Sequence, residues 1–357
     1  MKPLIKKFIE IHLPVGVCNM RCSYCYVGRF STTPSIPKYS PDEIRKAFSK
    51  KRLGGICIIS ICSDGETLMH SNIVSIIKGL LEEGHYVMVV TNGVLSLRIK
   101  ELLNIDNKYL HALFFKISCH YEEMEKMNLL NTFFENVEMI RSSPCSYTIE
   151  YTTDDKSLDN FDSMQERCKK ELHGVLPHIN QPRDIRKSYW GVMSKYSWDN
   201  YIKKWEEKGF ESAFFQYKKQ FHGKKYKKFC YAGYRYLWVN LATGYSHQCY
   251  HQPKSQYFMD YKKRIQWLPV GEHCEASHCY AGHIFFTLGV TEPLDYGRFR
   301  PTYTIIRNRK DRDGEEWVKS SYKAVFDGKI EQKECSLFAK KIVNICNLLL
   351  KWKERLE

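Results

Sequence analysis

Cys18, Cys22 and Cys25 stand in the run Val-Cys-Asn-Met-Arg-Cys-Ser-Tyr-Cys-Tyr, a Cys-x3-Cys-x2-Cys triplet directly behind an apolar stretch. Tetrahedral thiolate sites select zinc or iron–sulfur. Structural zinc takes four closed ligands, usually as two short pairs, and a lone triplet lacks the fourth. Three thiolates this close can instead hold three irons of a cubane [4Fe–4S] cluster and leave the fourth iron open. The alternative is three buried cysteines acting as small core hydrophobes.

A second group lies in the other half of the chain. Cys230 precedes the strand-like run Tyr236 to Leu241, followed by Thr243-Gly244 and Cys249, with Cys274 and Cys279 downstream. A hairpin with a tight Gly turn brings its flanking cysteines together, and a later pair closes the coordination. A structural zinc site, with His273, His278 or His283 substituting, suits the same residue types. Cys57, Cys62, Cys119, Cys145, Cys168, Cys335 and Cys346 fall in strands or on helical faces and read as core.

The elements that must position these groups alternate between strand and helix in the first half, the pattern of a parallel sheet. Phe8 to Val15 reads as a strand feeding the triplet. Ser40-Pro41-Asp42-Glu43 is a capping box with proline at the first helical position, opening a helix to about Lys51. Further strands are expected at Gly55–Cys62, Tyr86–Thr91, Ala112–Cys119, Ser146–Thr152 and Gly174–Ile179. Helices are expected at Ile73–Leu81, Leu95–Leu103, Tyr121–Arg141 and Leu158–Leu172. Six β-α units make three-quarters of a TIM-like barrel, whose functional loops lie at the strand C-terminal ends. The triplet follows the first strand, as that geometry requires.

The triplet, with Tyr24 just before its last cysteine, resembles the signature of the radical S-adenosylmethionine (SAM) enzymes. The resemblance implies that the open iron chelates SAM and that reductive cleavage yields a 5′-deoxyadenosyl radical. It also implies a flavodoxin- or ferredoxin-type electron donor. Ser63-Asp64-Gly65-Glu66-Thr67 resembles the family's Gly-Gly-Glu-Pro segment, with Asp64 and Thr67 departing from it. Thr91-Asn92-Gly93 resembles the family's turn at the end of the third strand. Ser118, ending the fourth strand, sits where related enzymes contact the SAM ribose. The resemblance thus names Tyr24, Ser63, Asp64, Gly65, Glu66, Asn92 and Ser118 as SAM-pocket residues. The Cys230–Cys249 spacing with Cys274 and Cys279 resembles the twitch form of the SPASM extension, which holds an auxiliary [4Fe–4S] cluster. The expected fold is α/β: a partial (β/α)6 TIM-like barrel with a C-terminal α+β twitch domain. Expected boundaries are 1–188 for the core, 189–229 for an aromatic and basic bridging segment, 230–330 for the twitch domain and 331–357 for an amphipathic helix.

Composition is compatible. Hydrophobic residues make up 43% of 357, enough for a packed core. No apolar run reaches the roughly 18 residues of a membrane span. The N-terminus lacks the apolar segment of a signal peptide, so the 14 cysteines point to a reducing cytoplasm. Net charge is +15, which suits an anionic partner. The densest basic run, Lys218, Lys219, Lys224, Lys225, Lys227 and Lys228, reads as a solvated face. Leu337, Ile342, Ile345, Leu348, Leu349 and Trp352 form a helical stripe expected to dock on the protein's own core.

Four auxiliary cysteines would saturate a cluster, leaving it to accept or relay electrons. The expected reaction is a two-electron dehydrogenation of a polar small-molecule or carrier-linked, anionic substrate. Many peptide modifiers bear a recognition domain of about 80 residues before the triplet, whereas 17 residues stand there in this sequence. Glu150, His120 and His178 are candidate bases at strand ends, and Cys119 a candidate hydrogen donor. Alternatives are peptide modification as in RiPP maturation, a redox-neutral epimerisation or rearrangement, and a non-catalytic zinc or Fe–S nucleic-acid-binding protein, the last not favoured.

Overall fold

The structure, a computed structural model, describes residues 4–27, 32–184, 191–209, 211–252, 254–272, 274–292 and 301–354. Its centre is a nine-stranded sheet of order β11-β10-β9-β1-β2-β3-β4-β5-β6. The six strands of the first half are β1 (Lys7–Leu13), β2 (Cys57–Ser63), β3 (Tyr86–Thr91), β4 (Leu113–Cys119), β5 (Ser146–Thr152) and β6 (His178–Asn180). They pair in parallel and in sequence order. A two-stranded ribbon, β7 (Arg183–Asp184) and β8 (Gly191–Val192), follows. The remaining strands are β9 (Tyr236–Asn240), β10 (Tyr245–His247) and β11 (Lys254–Tyr257).

Both faces of the sheet are covered, so the strands read as near-continuous apolar runs. Alternation still sorts the side chains. Ile9, Ile11, Ile59, Ile61, Phe115, Ile117 and Ile149 face the outer helices. Phe8, Ile58, Met88 and Phe114 face inward, in one buried cluster with Tyr322 and Phe326 of the helix Ser320–Gly328, whose rings both meet Phe114 edge-on. Tyr322 also donates its hydroxyl to the carbonyls of Val87 (2.7 Å) and Ala112 (3.0 Å). The 303–328 region therefore closes the interior face rather than standing apart from it.

Local signals explain most elements. The expected capping box is present: Ser40 Oγ accepts the Glu43 N–H and Glu43 returns a bond to the Ser40 backbone. That helix stops at Ala47 and resumes as Lys50–Leu53. The single expected helix Tyr121–Arg141 is two, Tyr121–Lys126 and Leu130–Arg141, broken where Asn128 takes the left-handed φ of 56°. The sixth strand is short, beginning at His178 instead of Gly174.

The Gly244 turn joins β9 to β10, with Gly244 at φ +84° and its N–H on Asn240 O at 2.7 Å. β9 pairs in parallel with β1, Phe8 opposite Tyr236 through His12 opposite Asn240. The hairpin thus extends the barrel sheet.

Two surface readings are corrected. Lys218, in the helix Ala213–Phe221, is buried instead of solvated, while Lys224, Lys225, Lys227 and Lys228 are exposed. The helix Leu337–Glu354 docks through a different face from the one expected. Val343 and Asn347 are buried, and the Asn347 amide donates to the carbonyls of Pro269 (2.7 Å) and Val270 (3.2 Å). Leu337, Phe338, Ile345, Leu348, Leu349 and Trp352 are more than half exposed. Apolar periodicity pointed to the wrong face because an amide makes the anchoring contacts. No described helix is long and apolar enough to cross a membrane.

Candidate active site

The triplet loop leaves the end of β1 and is fixed by the loops after β2 and β3. Asp64 Oδ1 accepts the N–H groups of Val15 (2.7 Å) and Gly16 (2.8 Å). The Glu66 N–H donates to Val17 O at 2.9 Å. A Cβ on Gly65 would stand 2.0 Å from that same carbonyl, so glycine is required for the close approach of the two backbones. Glu66 is buried, and its carboxylate accepts from Leu68 N (3.0 Å), the Thr91 hydroxyl (2.7 Å) and Asn92 N (2.8 Å). Asn92 Nδ2 donates to Asn19 Oδ1 at 2.7 Å. Ser63 Oγ donates to Gly65 O at 2.9 Å. Three segments far apart in sequence form one hydrogen-bonded unit.

All three triplet thiols are half-buried and free. The Cys25 N–H donates to Cys22 O (3.1 Å), and Cys18 Sγ accepts the Met20 N–H (3.4 Å). Burial pushes the Cys22 thiol up to about 12, helped by the charges of Cys18 and Cys25. Burial also raises Cys18. Among the described residues no three His, Cys, Asp or Glu side chains converge to bind a single metal ion. A cluster spreads its thiolates over separate irons, so its donors need to be neighbours without converging on one point. The triplet meets that condition.

Cys230, Cys249, Cys274 and Cys279 line one small, mostly apolar cavity with Val270 and Phe285. Burial pushes Cys249 up to about 12 and raises Cys230 and Cys279 well above the usual thiol range, reinforced by the charges of the other cysteines. Buried thiols this crowded stay protonated unless a cation joins them, so the donor set fits a cysteine-ligated metal or cluster. His278 lines the same cavity. His283 packs edge-on against Phe214, and His273 lies outside the described residues.

The four candidate catalytic residues fare differently. Glu150 faces the barrel interior, where Arg307 Nη1 pairs with it, Lys116 Nζ lies at 3.4 Å and Asn180 Nδ2 donates at 2.9 Å. Burial alone would raise its carboxyl, but Arg307 and Lys116 outweigh burial and hold it at about 2. A carboxylate so stabilised is a poor proton acceptor. His178 is fully buried, with Nε2 on Arg307 O at 2.9 Å and Nδ1 facing Ser212 Oγ at 3.4 Å. It serves packing. His120 Nδ1 meets the Tyr24 hydroxyl at 2.8 Å, and burial lowers the imidazole to about 4. Cys119 is buried in the layer between sheet and outer helices, beside Cys168. It points away from the interior, which corrects its reading as a hydrogen donor. Ser118, its neighbour on β4, takes the opposite, interior side and is half-buried.

Three interior residues escaped the sequence reading. Glu10, on β1, is buried with Tyr250 donating to it and Cys62 Sγ at 3.5 Å. Burial raises its carboxyl above the usual range. Tyr250 directly follows Cys249, so this hydrogen bond links Glu10 to the second cysteine group. Cys62, read as core, is the interior-facing thiol. Lys218 Nζ donates to Asn180 Oδ1 at 2.7 Å. A charged residue inside an apolar strand run was the available signal for Glu10.

Residues 13–153 match the Radical SAM superfamily. No curated protein matches the chain. Among solved structures, Streptococcus suis SuiB bound to S-adenosylmethionine is similar at 12% identity, covering 71% of this chain and 64% of that one, with a TM-score of 0.48. This chain thus spans less than two thirds of that protein's length. Native anSMEcpe with bound AdoMet is similar at 14% identity, 90% and 96% coverage and a TM-score of 0.46. BtrN in complex with AdoMet and 2-DOIA is similar at 12% identity, 73% and 76% coverage and a TM-score of 0.34. The superfamily implies a [4Fe–4S] cluster and SAM, for which the loop after β1 offers three neighbouring thiols. Through residues 13–153, the chain is similar to the radical SAM superfamily.

Proposed function

We propose that the protein is a radical SAM oxidoreductase that removes two hydrogens from a polar small-molecule or carrier-linked substrate held in the barrel interior. Cys18, Cys22 and Cys25 hold the first cluster. Cys230, Cys249, Cys274 and Cys279 hold a second, giving the region 230–330 its role. Tyr24, Ser63, Gly65, Asn92 and Ser118 border SAM, while Asp64 and Glu66 position those segments from behind. When bound, the first cluster with SAM supplies a 5′-deoxyadenosyl radical, and the second cluster supplies an electron acceptor.

The observation that carries this reading is Glu10, a buried interior carboxylate that accepts from Tyr250 beside Cys249. A net dehydrogenation loses one hydrogen atom, then one proton and one electron. Glu10 is the interior carboxylate raised by burial, so it accepts the proton where Glu150, held at about 2, does not. Product mass with 5′-deoxyadenosine stoichiometry is the test. Loss of two hydrogens per SAM consumed supports the reading, and a product of unchanged mass contradicts it.

One observation favours a second reading. The Cys62 thiol faces the interior 3.5 Å from Glu10, where it can return a hydrogen to a substrate radical. A redox-neutral epimerisation would then give a product of unchanged mass, and Cys62→Ala would stop turnover.

A further inference from the structure

The C-terminal helix Leu337–Glu354 is fastened by a narrow seam. Val343 packs in a small cluster with Phe229 and Tyr231, and the Asn347 amide donates to Pro269 O (2.7 Å) and accepts from Gln248 Nε2 (3.0 Å). The approach is close, since a Cβ on Gly271 would stand 2.4 Å from Asn344 Oδ1. The apolar mass of the helix is on its other side. At 3.6 residues per turn, Ile345 stands nearly opposite both Val343 and Asn347, and Leu337, Phe338, Leu348, Leu349 and Trp352 share its side. Leu337 is 81% exposed and Phe338 74%. A contiguous apolar face standing in water marks an interaction surface.

Positive charge borders this face. The helix sequence holds Lys340, Lys341, Lys351 and Lys353 against one acidic residue, Glu354. Lys340 Nζ and Lys228 Nζ each lie 3.9 Å from the Glu292 carboxylate, on different oxygens. That shared carboxylate brings the exposed run Lys224, Lys225, Lys227 and Lys228 up to the start of the helix. Of the acids beside the helix, Glu272 takes the Asn344 amide, Glu292 takes the two lysines, and Glu334 is exposed just ahead of the first turn. Among the described residues, Lys224, Lys225, Lys227 and the exposed Lys341 have no carboxylate within ion-pair distance.

We infer that this helix lies flat on an anionic lipid surface, its apolar side chains entering the headgroup region and the 224–228 lysines meeting the lipid charge. Eighteen residues cover about 27 Å of helix, and no described helix is long and apolar enough to cross a membrane. The helix therefore rests on the surface rather than spanning it. Tryptophan and lysine are the residue types that settle at headgroup level. The competing occupant is a second copy of the chain. A two-fold pair of these faces would bring two lysine borders together, and at a net charge of +15 per chain that contact is repulsive. Lipid anions remove the repulsion.

The test is flotation of the anaerobically reconstituted full chain with vesicles of phosphatidylcholine alone, or of an equimolar mixture with phosphatidylserine, at an ionic strength of about 0.15 M. The protein should float with the mixed vesicles and stay behind with phosphatidylcholine alone. Ile345→Gln with Leu349→Gln should weaken binding by about tenfold or more. Lys224→Gln, Lys225→Gln and Lys227→Gln together should do the same while leaving the helix untouched. All five side chains are exposed, so the urea midpoint and iron content of each variant should match the wild type. Wild type that stays behind with the mixed vesicles, or floats equally with both kinds, overturns the inference. Wild-type binding by either variant overturns it as well. A wild type that dimerises in the ultracentrifuge without vesicles, where the Ile345→Gln, Leu349→Gln variant is a monomer, would give the face to a second copy and overturn it too.

Discussion

The Tyr24 hydroxyl lies 2.8 Å from Nδ1 of His120, joining the triplet loop to the end of β4. Burial lowers His120 to about 4 and raises Tyr24 well above its ordinary range, so near pH 7 the ring is neutral and the phenol keeps its proton. Tyr24 therefore donates and Nδ1 accepts. The loop that carries the cluster ligands is tied in this way to the barrel's C-terminal rim.

Tyr24→Phe should lower stability by about 1 kcal/mol, the worth of one neutral hydrogen bond. Urea unfolding of the wild type and variant measures it. Iron content should hold, because no thiol is lost.

Glu66→Gln should weaken SAM binding and lower stability together. The amide NH2 would face a donor at Asn92 N or at Thr91, where the carboxylate accepts from both. Equilibrium SAM binding with iron analysis checks it: affinity should fall several-fold while most of the iron remains. Wild-type affinity would remove Glu66 from the positioning role.

Glu150→Gln should cost about 3–5 kcal/mol at neutral pH by leaving Arg307 buried without its counter-charge. The folded-state carboxyl titrates near 2, below its ordinary 4.5. The wild type's advantage is therefore complete above about pH 4.5 and fades as pH falls towards 2. Denaturant unfolding of both proteins between pH 7 and pH 3 should show the gap narrowing in acid.

Much of this was legible in the sequence because local rules dictated it. The strands β3 and β5 end where their composition changes, and the Ser40 cap is a four-residue pattern. The triplet and the second cysteine group are matters of spacing, and the second group does surround one cavity. The remainder depended on which face a residue takes. Cys119 and Ser118 are adjacent, yet one turns to the outer helices and the other to the interior. Glu10, Cys62 and Lys218 gain meaning only from partners many residues away, Tyr250 and Asn180 among them. Asp64 departs from the family's glycine, and only the backbone geometry shows that it clamps the loop at Val15 and Gly16.

Replacing Cys18, Cys22 and Cys25 together by Ala should halve the iron content, from about eight to about four per chain, as expected for two cubane clusters. The second group lines a cavity of its own and keeps its four cysteines. A variant that loses all iron would show that the two sites depend on each other.

The most direct measurement is 5′-deoxyadenosine formation by the anaerobically reconstituted protein given SAM and dithionite. The expectation is 5′-deoxyadenosine from the wild type and none from the Cys18→Ala, Cys22→Ala, Cys25→Ala variant. An iron-loaded wild type that leaves SAM intact, or a triple variant that cleaves it at the wild-type rate, would contradict it.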